Sequence, residues 1–358
     1  MMAKDQNDDL SLHDLIEGPT RDLTAARAAA LARTQARSTS DDHEVDGTSE
    51  DPRGSQPHDR RSEGASEGAG PGARRRVALE RLPASGALYR RALLGVVPGV
   101  GGRRGGDVPE VELAVSGVAV DPGHLADYDR VCGFRLTDRL PATYLHVLGF
   151  PLSLRLMTSP GFPIPLTGVV HVANRITVHR PVEAGETVDF HTYAENLRPH
   201  ERGRQLDVVL IGSIGGEEVW RGVSTYLGKE RAAGGGPRRD RGDRPAPPAA
   251  SARWRVTPRV GTDYARVSGD HNPIHTSKLG ARLFGFPRPI AHGMWSKARC
   301  LAALEPRLSE SYTVDVSFKL PVPLPSTVAF SASATGAGWD FALHGARDGK
   351  PHLVGSVR

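Results

Sequence analysis

The chain has 358 residues, enough for two or more domains, and its 46 basic and 41 acidic side chains leave a net charge of only +5. This mixed balance argues against a nucleic-acid-binding surface, because the arginine runs lie in Gly- or Pro-rich sequence without interleaved aromatic residues. Two cysteines are too few for a disulfide framework, no window of about 20 residues is uninterruptedly apolar, and the first residues do not resemble a signal peptide. The sequence therefore predicts a cytoplasmic protein without a membrane span.

Residues 1–75 are dominated by Ser, Gly, Asp, Glu, Arg and Ala, and they offer few apolar side chains for burial. Such a segment removes too little apolar surface from water to offset the entropy lost on ordering it. We therefore predict a disordered N-terminal extension.

The rest of the chain divides into two halves, residues 76–231 and 252–358, joined by a Gly-, Pro- and Arg-rich linker at 232–251. The halves resemble each other, because segments 128–134 and 264–270 share Tyr, Arg, Val and Gly in the same register. This similarity indicates an internal repeat.

Each half continues with an apolar helix that begins near a proline and then with a series of strand-like segments. The helices are predicted at 141–157, which Pro151 is expected to kink or shorten, and at 289–304. A long helix wrapped by an antiparallel sheet buries the apolar faces of both elements. The sequence therefore predicts an α+β fold of two such repeats, with strands at 169–178, 187–197, 205–214, 218–227, 313–320, 327–335, 339–344 and 352–357.

The densest cluster of reactive side chains lies at the start of the second half, in residues 268–275. Its Gly, Asn and Pro residues favour an irregular backbone, from which side chains can point into a cleft. Asp270 and His275 are five residues apart there, and both could contact one water molecule. Near pH 7 their reference pKa values offer a carboxylate and a largely neutral imidazole, so either group could accept or relay a proton.

Gly293 follows this cluster at the point where the second apolar helix is expected to begin. A free backbone N–H at a helix start, reinforced by the helix dipole, can stabilise a developing negative charge on an oxygen atom. Because glycine has no side chain, it permits close approach of a ligand.

The sequence around these residues resembles the signature of MaoC-like dehydratases and R-specific enoyl-CoA hydratases. The matching residues are Tyr264, Ala265, Ser268, Gly269, Asp270, Asn272, Pro273, Ile274 and His275, followed by Ala291, His292, Gly293 and Met294. The resemblance implies a hot-dog fold, a catalytic pair at Asp270 and His275, and an oxyanion-binding amide at Gly293. Ser268 and Asn272 would support the loop.

The first half departs from this signature. Phe134 takes the place of Asp270, and the chain from Phe134 to Pro141 is about 12 residues shorter than its counterpart, so no equivalent of His275 can be assigned. This pattern resembles double hot-dog members of the family, in which a degenerate repeat widens the tunnel for a long acyl chain. We therefore expect a degenerate first repeat and a catalytic second repeat.

Other histidines offer weaker alternatives. Asp270, His271, His275 and His292 could be imagined as a metal site, but their spacing matches no closed ligand set, and no metal is expected. His171, His179 and His191 are expected to lie on strand faces, outside any site.

The sequence and the resemblance together predict a cofactor-free hydro-lyase that interconverts (3R)-3-hydroxyacyl and trans-2-enoyl thioesters in fatty-acid or related lipid metabolism. The acyl chain would be carried on coenzyme A or on an acyl carrier protein. Two alternatives remain open, an acyl thioesterase and a non-catalytic acyl-binding protein. The oligomeric state is expected to be a monomer or a homodimer, since fused repeats can form internally the pairing that single subunits obtain by dimerising.

Overall fold

The computed structural model describes residues 74–94, 106–166, 169–229 and 247–358. The predicted disorder of residues 1–75 lies outside the described residues except at 74 and 75, where Arg75 already begins a strand, and most of the predicted linker at 232–251 also lies outside them. Within them, none of the helices is long and apolar enough to cross a membrane.

The described residues of the first half form three helices and six strands. Its strands are β1 (Arg75–Leu79), β2 (Val111–Val118), β3 (Val170–Val178), β4 (Val188–His200), β5 (Gly203–Ile214) and β6 (Glu217–Lys229), and its helices are α1 (Ser85–Leu94), α2 (Pro122–Cys132) and α3 (Ala142–Met157).

The second half contains four helices, a 3-10 turn and five strands. Its strands are β7 (Ala252–Val256), β8 (Tyr312–Phe318), β9 (Ser326–Thr335), β10 (Gly338–Gly345) and β11 (Pro351–Val357); its helices are α4 (Arg259–Ser268), α5 (Pro273–Thr276), α6 (Lys278–Leu283) and α7 (Gly293–Leu304), with the 3-10 turn at Glu305–Arg307.

All eleven strands form one sheet in the order β1-β2-β4-β5-β6-β3-β8-β11-β10-β9-β7. If β1 is set aside, the two halves repeat the same order from the outer strands inward, β2-β4-β5-β6-β3 and β7-β9-β10-β11-β8. The pairs are antiparallel apart from β1 with β2, which are parallel. This repeated order, with a helix packed inside each half, confirms the predicted α+β double hot-dog fold.

The halves meet where β3 pairs antiparallel with β8, from Ala173 opposite Ser317 to Val178 opposite Tyr312. Arg175 and Asp315 form an ion pair across this junction, with 2.7 Å between Nη2 and Oδ2. Side chains of both halves share one apolar core, in which Tyr128 and Tyr264 lie 6.3 Å apart between ring centroids. The exact boundaries assigned to the repeats remain a prediction.

The first central helix agrees with its predicted range of 141–157 to within one residue, and the second is shorter than predicted. Pro151 lies inside α3, which has 16 residues against 12 in α7, so this proline does not shorten the helix, while the alternative of a kink stays a prediction. The second helix begins at Gly293 because the chain before it is extended: Ile290 forms an isolated bridge with Pro323, and the amide of Ala291 donates to Val322. Residues 289–291 are therefore hydrogen-bonded to neighbouring backbone before the helix starts.

Candidate active site

The end of α4 places Asp270 at the entrance of an irregular loop. Gly269 caps the helix in the left-handed conformation, with φ of 70°, and its amide donates to the carbonyl of Ala265. A residue without a side chain adopts this conformation at little cost, so the helix stops sharply here. The amide of Asp270 then donates to Ser268 Oγ at 3.2 Å.

The loop itself is held by Asn272, which caps the short helix α5. Its Oδ1 accepts a hydrogen bond from the backbone amide of Ile274 at 3.3 Å. The backbone amide of Asn272 donates to Asp270 Oδ1 at 3.2 Å. These local bonds replace the backbone partners that the first turn of a helix lacks. They also fix the path of the chain between Asp270 and His275.

The carboxylate of Asp270 accepts a second, shorter hydrogen bond from the first half of the chain. The hydroxyl of Tyr89, on α1, lies 2.5 Å from Asp270 Oδ1. Burial raises the pKa of Tyr89 well above its usual value, and the charge of Asp270 raises it further, so the phenol stays neutral and donates. Oδ1 thus accepts hydrogen bonds from Tyr89 and Asn272, whereas no described residue donates one to Oδ2, which lies 3.9 Å from His292 Nε2.

The pKa of Asp270 is lowered, so the side chain is a carboxylate near neutral pH. Burial alone would raise this pKa. Positive charge on His292 or His275 lowers it wherever either imidazole is protonated, and the hydrogen bonds from the Tyr89 hydroxyl and the backbone amide of Asn272 lower it while both imidazoles are neutral.

His275 is buried on α5, and its Nδ1 lies 2.8 Å from the backbone carbonyl of Ile290. Because a carbonyl can only accept, Nδ1 carries the proton and Nε2 holds the lone pair. Burial lowers the pKa of His275, and this effect outweighs the charge of Asp270. The ring is therefore a neutral base whose acceptor nitrogen is Nε2.

His292 precedes α7 and stacks on His275, with 3.7 Å between the ring centroids. Its Nε2 lies 3.0 Å from the backbone carbonyl of Asp270, so this nitrogen donates to the carbonyl. Burial, reinforced by His275, lowers the pKa of His292 to about 3, and the ring is neutral. It therefore fixes the backbone of Asp270 to the start of α7.

Asp270, His275 and His292 are also the residues that could hold a metal ion, since a possible ligand atom from each lies within 4.8 Å of the others. Ligands at about 2.1 Å from a tetrahedral ion lie roughly 3.4 Å from one another, so the group would have to contract. Asp270 Oδ1 is already bonded to Tyr89, and one nitrogen of each imidazole is bonded to a backbone carbonyl. The absence of a metal requirement stays a prediction.

Gly293 is the first residue of α7, and no described residue accepts a hydrogen bond from its amide. A Cβ at this position would lie 3.1 Å from the ring of Phe318. The glycine thus keeps the helix start open to the cavity beside it.

These groups line a cavity of about 230 Å³. One side is formed by Asp270, His275, His292 and Gly293, and much of the remaining wall comes from the first half, including Tyr89, His146, Phe150, Met157, His171 and Tyr226. The structure therefore brings Ser268, Asp270, Asn272, His275, His292 and Gly293 to one cavity, leaves His271 outside it, and adds an extensive contribution from the first half.

Two features of this cavity were missed in the sequence. His171 was expected to lie outside any site, but it lines the cavity and packs between Tyr226 and Phe318, with ring centroids 4.7 and 5.0 Å away. Tyr89 was not considered at all, because it lies 181 positions before Asp270 and no local motif marks it. His179 and His191 do not line the cavity.

Comparisons with known proteins agree with this geometry. Residues 245–347 match the family model described as MaoC like domain. The 3-hydroxyacyl-thioester dehydratase X of Mycobacterium tuberculosis is 38% identical over 269 residues, which are 75% of this chain and 95% of that protein.

Solved structures of similar proteins also match this chain. A crystal structure of HtdX of Mycobacterium tuberculosis has a TM-score of 0.63 and 37% identity, covering 69% of this chain and 99% of that one. A MaoC-like dehydratase from Phytophthora capsici has a TM-score of 0.57 over 69% of this chain and 94% of its own, and at 17% identity it supports the fold alone. The chain belongs to the MaoC-like dehydratase family.

Proposed function

We propose that this protein is a hydro-lyase that reversibly dehydrates (3R)-3-hydroxyacyl thioesters to trans-2-enoyl thioesters, in fatty-acid or related lipid metabolism. The observation that carries the proposal is the pairing, inside one cavity, of an ionised Asp270 with a neutral His275 whose Nε2 holds a lone pair. The similarity to a protein named as a 3-hydroxyacyl-thioester dehydratase supports the same reaction.

In the dehydration direction, Nε2 of His275 removes the proton on the carbon next to the thioester carbonyl. The imidazolium that forms is stabilised by the adjacent carboxylate of Asp270, whose Oδ2 is free to hold the 3-hydroxyl group. The proton then passes from His275 to that hydroxyl, the carbon-oxygen bond breaks and water leaves. Both side chains return to their starting protonation states, so no other proton donor is required.

Negative charge develops on the thioester oxygen during this step. The free amide of Gly293, at the positive end of the α7 dipole, is the group that we assign to stabilise it. Ser268 and Asn272 support the loop through their hydrogen bonds to Asp270 and Ile274. Tyr89 is a positioning residue, because it acts through Asp270.

The described residues of the first half bring no comparable carboxylate and imidazole pair to the cavity, and they instead complete its wall. Phe150, Met157 and Leu166 line the cavity beside the imidazole and phenol groups of that half. We therefore propose that the first repeat accommodates the acyl chain, while the second performs the chemistry.

The test is the loss of enoyl-thioester absorbance when purified protein is mixed with crotonyl-CoA or a longer 2-enoyl-CoA. The wild type should hydrate at least one of them to the (3R)-alcohol, and Asp270→Asn should lose activity while its circular dichroism is retained. Prior incubation with a chelator should leave the rate unchanged.

Each rival has a distinct outcome in this assay. Release of free thiol without hydration indicates a thioesterase. Tight binding of the enoyl thioester without turnover of any carrier form indicates a non-catalytic binding protein.

A further inference from the structure

The outer face of α6 leaves apolar side chains in water beside the cavity. Leu279 and Leu283 are 79% and 80% exposed, and their spacing of four residues places them on the same side of the helix. Among the described residues, only Leu136 is a comparably exposed large hydrophobic side chain. The inner face of α6 is anchored, because Ala281 is buried against Phe286 and Ile290.

Three cations, Lys278, Arg282 and Arg288, are exposed around these leucines. None of them forms an ion pair within the described ranges, and Arg288 contacts only the backbone carbonyl of Pro325, at 3.2 Å. The sequence contains no acidic residue between His271 and Leu304. We call Lys278, Leu279, Arg282, Leu283 and Arg288 together the α6 ridge.

The α6 ridge is the solvent side of a segment whose inner side lines the cavity. Pro273 and Ile274 before α6, and Phe284 and Phe286 after it, all contribute to the cavity wall. A molecule seated on the ridge would therefore lie next to the site where the thioester reacts.

We propose that the α6 ridge docks an acidic carrier protein that presents the acyl thioester on a phosphopantetheine arm. This inference rests on the proposed function, and it names the carrier. Uncompensated cations around an apolar centre complement a protein surface that is acidic around apolar side chains, and they steer its encounter with the cavity. The nucleotide of coenzyme A could engage the cations, but it would leave the two leucines in water.

A second copy of this chain fits the ridge less well. A two-fold contact would place the same patch on both sides of the interface and bring the cations of one copy against those of the other. Like charges facing each other oppose association.

The experiment compares one enoyl chain on two carriers, coenzyme A and a purified acidic acyl carrier protein, by kcat/KM. The double variant Leu279→Ser, Leu283→Ser and the charge reversal Arg282→Glu should each lower kcat/KM at least about tenfold for the protein-bound substrate, mainly through KM. Both should stay within about twofold of wild type for the CoA substrate. Leu136→Ser, which removes an exposed leucine from the first half, is the matched control and should change neither value.

Added salt should raise KM for the protein-bound substrate of the wild type, and this dependence should weaken in Arg282→Glu. Equal losses on both carriers, or no loss on either, would overturn the proposal. A fall in oligomeric mass in the leucine variant would assign the ridge to contact between copies and would also overturn it.

A binding measurement distinguishes failure of the proposed function from failure of the docking proposal. If neither carrier form is turned over, titration calorimetry with the acylated carrier protein still tests the ridge, because binding that is weaker in Arg282→Glu than in Leu136→Ser supports docking. Equal binding of these two variants contradicts it.

Discussion

The turns that follow α2 and α4 have the same backbone and different chemistry. Both helices end at a left-handed glycine, Gly133 with φ of 83° and Gly269 with φ of 70°, whose amide donates to the carbonyl four residues earlier. The next residue is Phe134 in the first half, where its ring stacks on Tyr128, and Asp270 in the second. Helix capping is thus common to both repeats, and the reactive side chain is not.

A second cavity, lined by residues of both halves, lies beside the corresponding turn of the first half. The one beside Phe134 has a volume of about 180 Å³ and is lined by Pro141 and Ala142 at the start of α3, where the second half has His292 and Gly293. No histidine is among the described residues that line it. The comparison shows that the double hot-dog architecture produces the hollow, whereas the acid-base pair depends on the additional chain between Gly269 and α7.

The largest effect should come from His275→Ala, which makes the second site resemble the first by removing its base. We expect kcat/KM for enoyl-CoA hydration to fall by about 10² to 10⁴. His271→Ala is the control, because this exposed neighbour on the same loop does not line the cavity and should retain wild-type activity.

The reverse substitution places an aspartate in the first half, at the position that corresponds to Asp270. Phe134→Asp introduced into Asp270→Asn should restore nothing, since no imidazole reaches the first cavity. Wild-type activity in His275→Ala, or recovery through Phe134→Asp, would contradict the assigned roles.

Gly293→Ala should have the next largest effect. The added Cβ lies 3.1 Å from the ring of Phe318 and displaces the start of α7. We therefore expect kcat to fall by up to about 10², which does not exceed the fall in kcat expected when an oxyanion-hole donor is removed entirely. Ala142 occupies the corresponding position in the first half, and Ala142→Gly is the control. A rate loss that is equal in the two variants would assign the effect to helix stability.

Tyr89→Phe should change the pH dependence more than the rate. The hydrogen bond from Tyr89 contributes to the lowered pKa of Asp270, so its loss raises that pKa towards the value that burial favours. If Asp270 must be ionised, the acid limb of the kcat/KM profile moves to higher pH, with a loss of only a few fold near neutrality.

Tyr226→Phe is the matched control for this shift. Tyr226 lines the same cavity but makes no hydrogen bond to Asp270 among the described residues, so its removal should leave the acid limb in place. An unshifted limb in Tyr89→Phe would mean that the phenol does not position the carboxylate.

Sequence patterns predicted those features of the site that depend on residues close to one another in the chain. The left-handed Gly269, the loop bonds of Asn272 and the spacing of Asp270 and His275 depend on consecutive residues, and the repeat was visible in the shared Tyr, Arg, Val and Gly. Strand positions followed from apolar alternation and turn residues.

Contacts between distant segments could not be predicted in this way. Tyr89 reaches Asp270 across 181 positions, and His171 enters the cavity through the sheet order. The apolar segment predicted as helical at 289–304 begins with residues that are extended up to the expected helix start at Gly293. The pairing of Ile290 with Pro323 competes with helix formation there, and this pairing exists only in the folded protein.

The smallest expected effect concerns stability and leaves the site untouched. Asp129 aligns with Ala265, and its side chain is 1% exposed with no hydrogen-bond partner for Oδ1. Burial, with a further contribution from Glu305, raises the pKa of Asp129 to about 7. The carboxyl of the unfolded chain, with its ordinary pKa of 3.8, releases this proton earlier, so the folded state alone stays protonated between about pH 4 and 7. Stability therefore falls as pH rises through that window and levels off above it.

Asp129→Ala, which copies the second repeat, should remove this dependence. We expect the free energy of unfolding at pH 8 to rise by about 1–3 kcal/mol over wild type, and the difference to shrink at pH 5, where the carboxyl is protonated. Asp127→Ala, on the exposed face of the same helix, is the control, because its ion pair with Arg130 is a surface contact that contributes little. A gain of equal size at both pH values would show that the buried carboxyl does not titrate in this range, and the repeats would then differ at this position in packing alone.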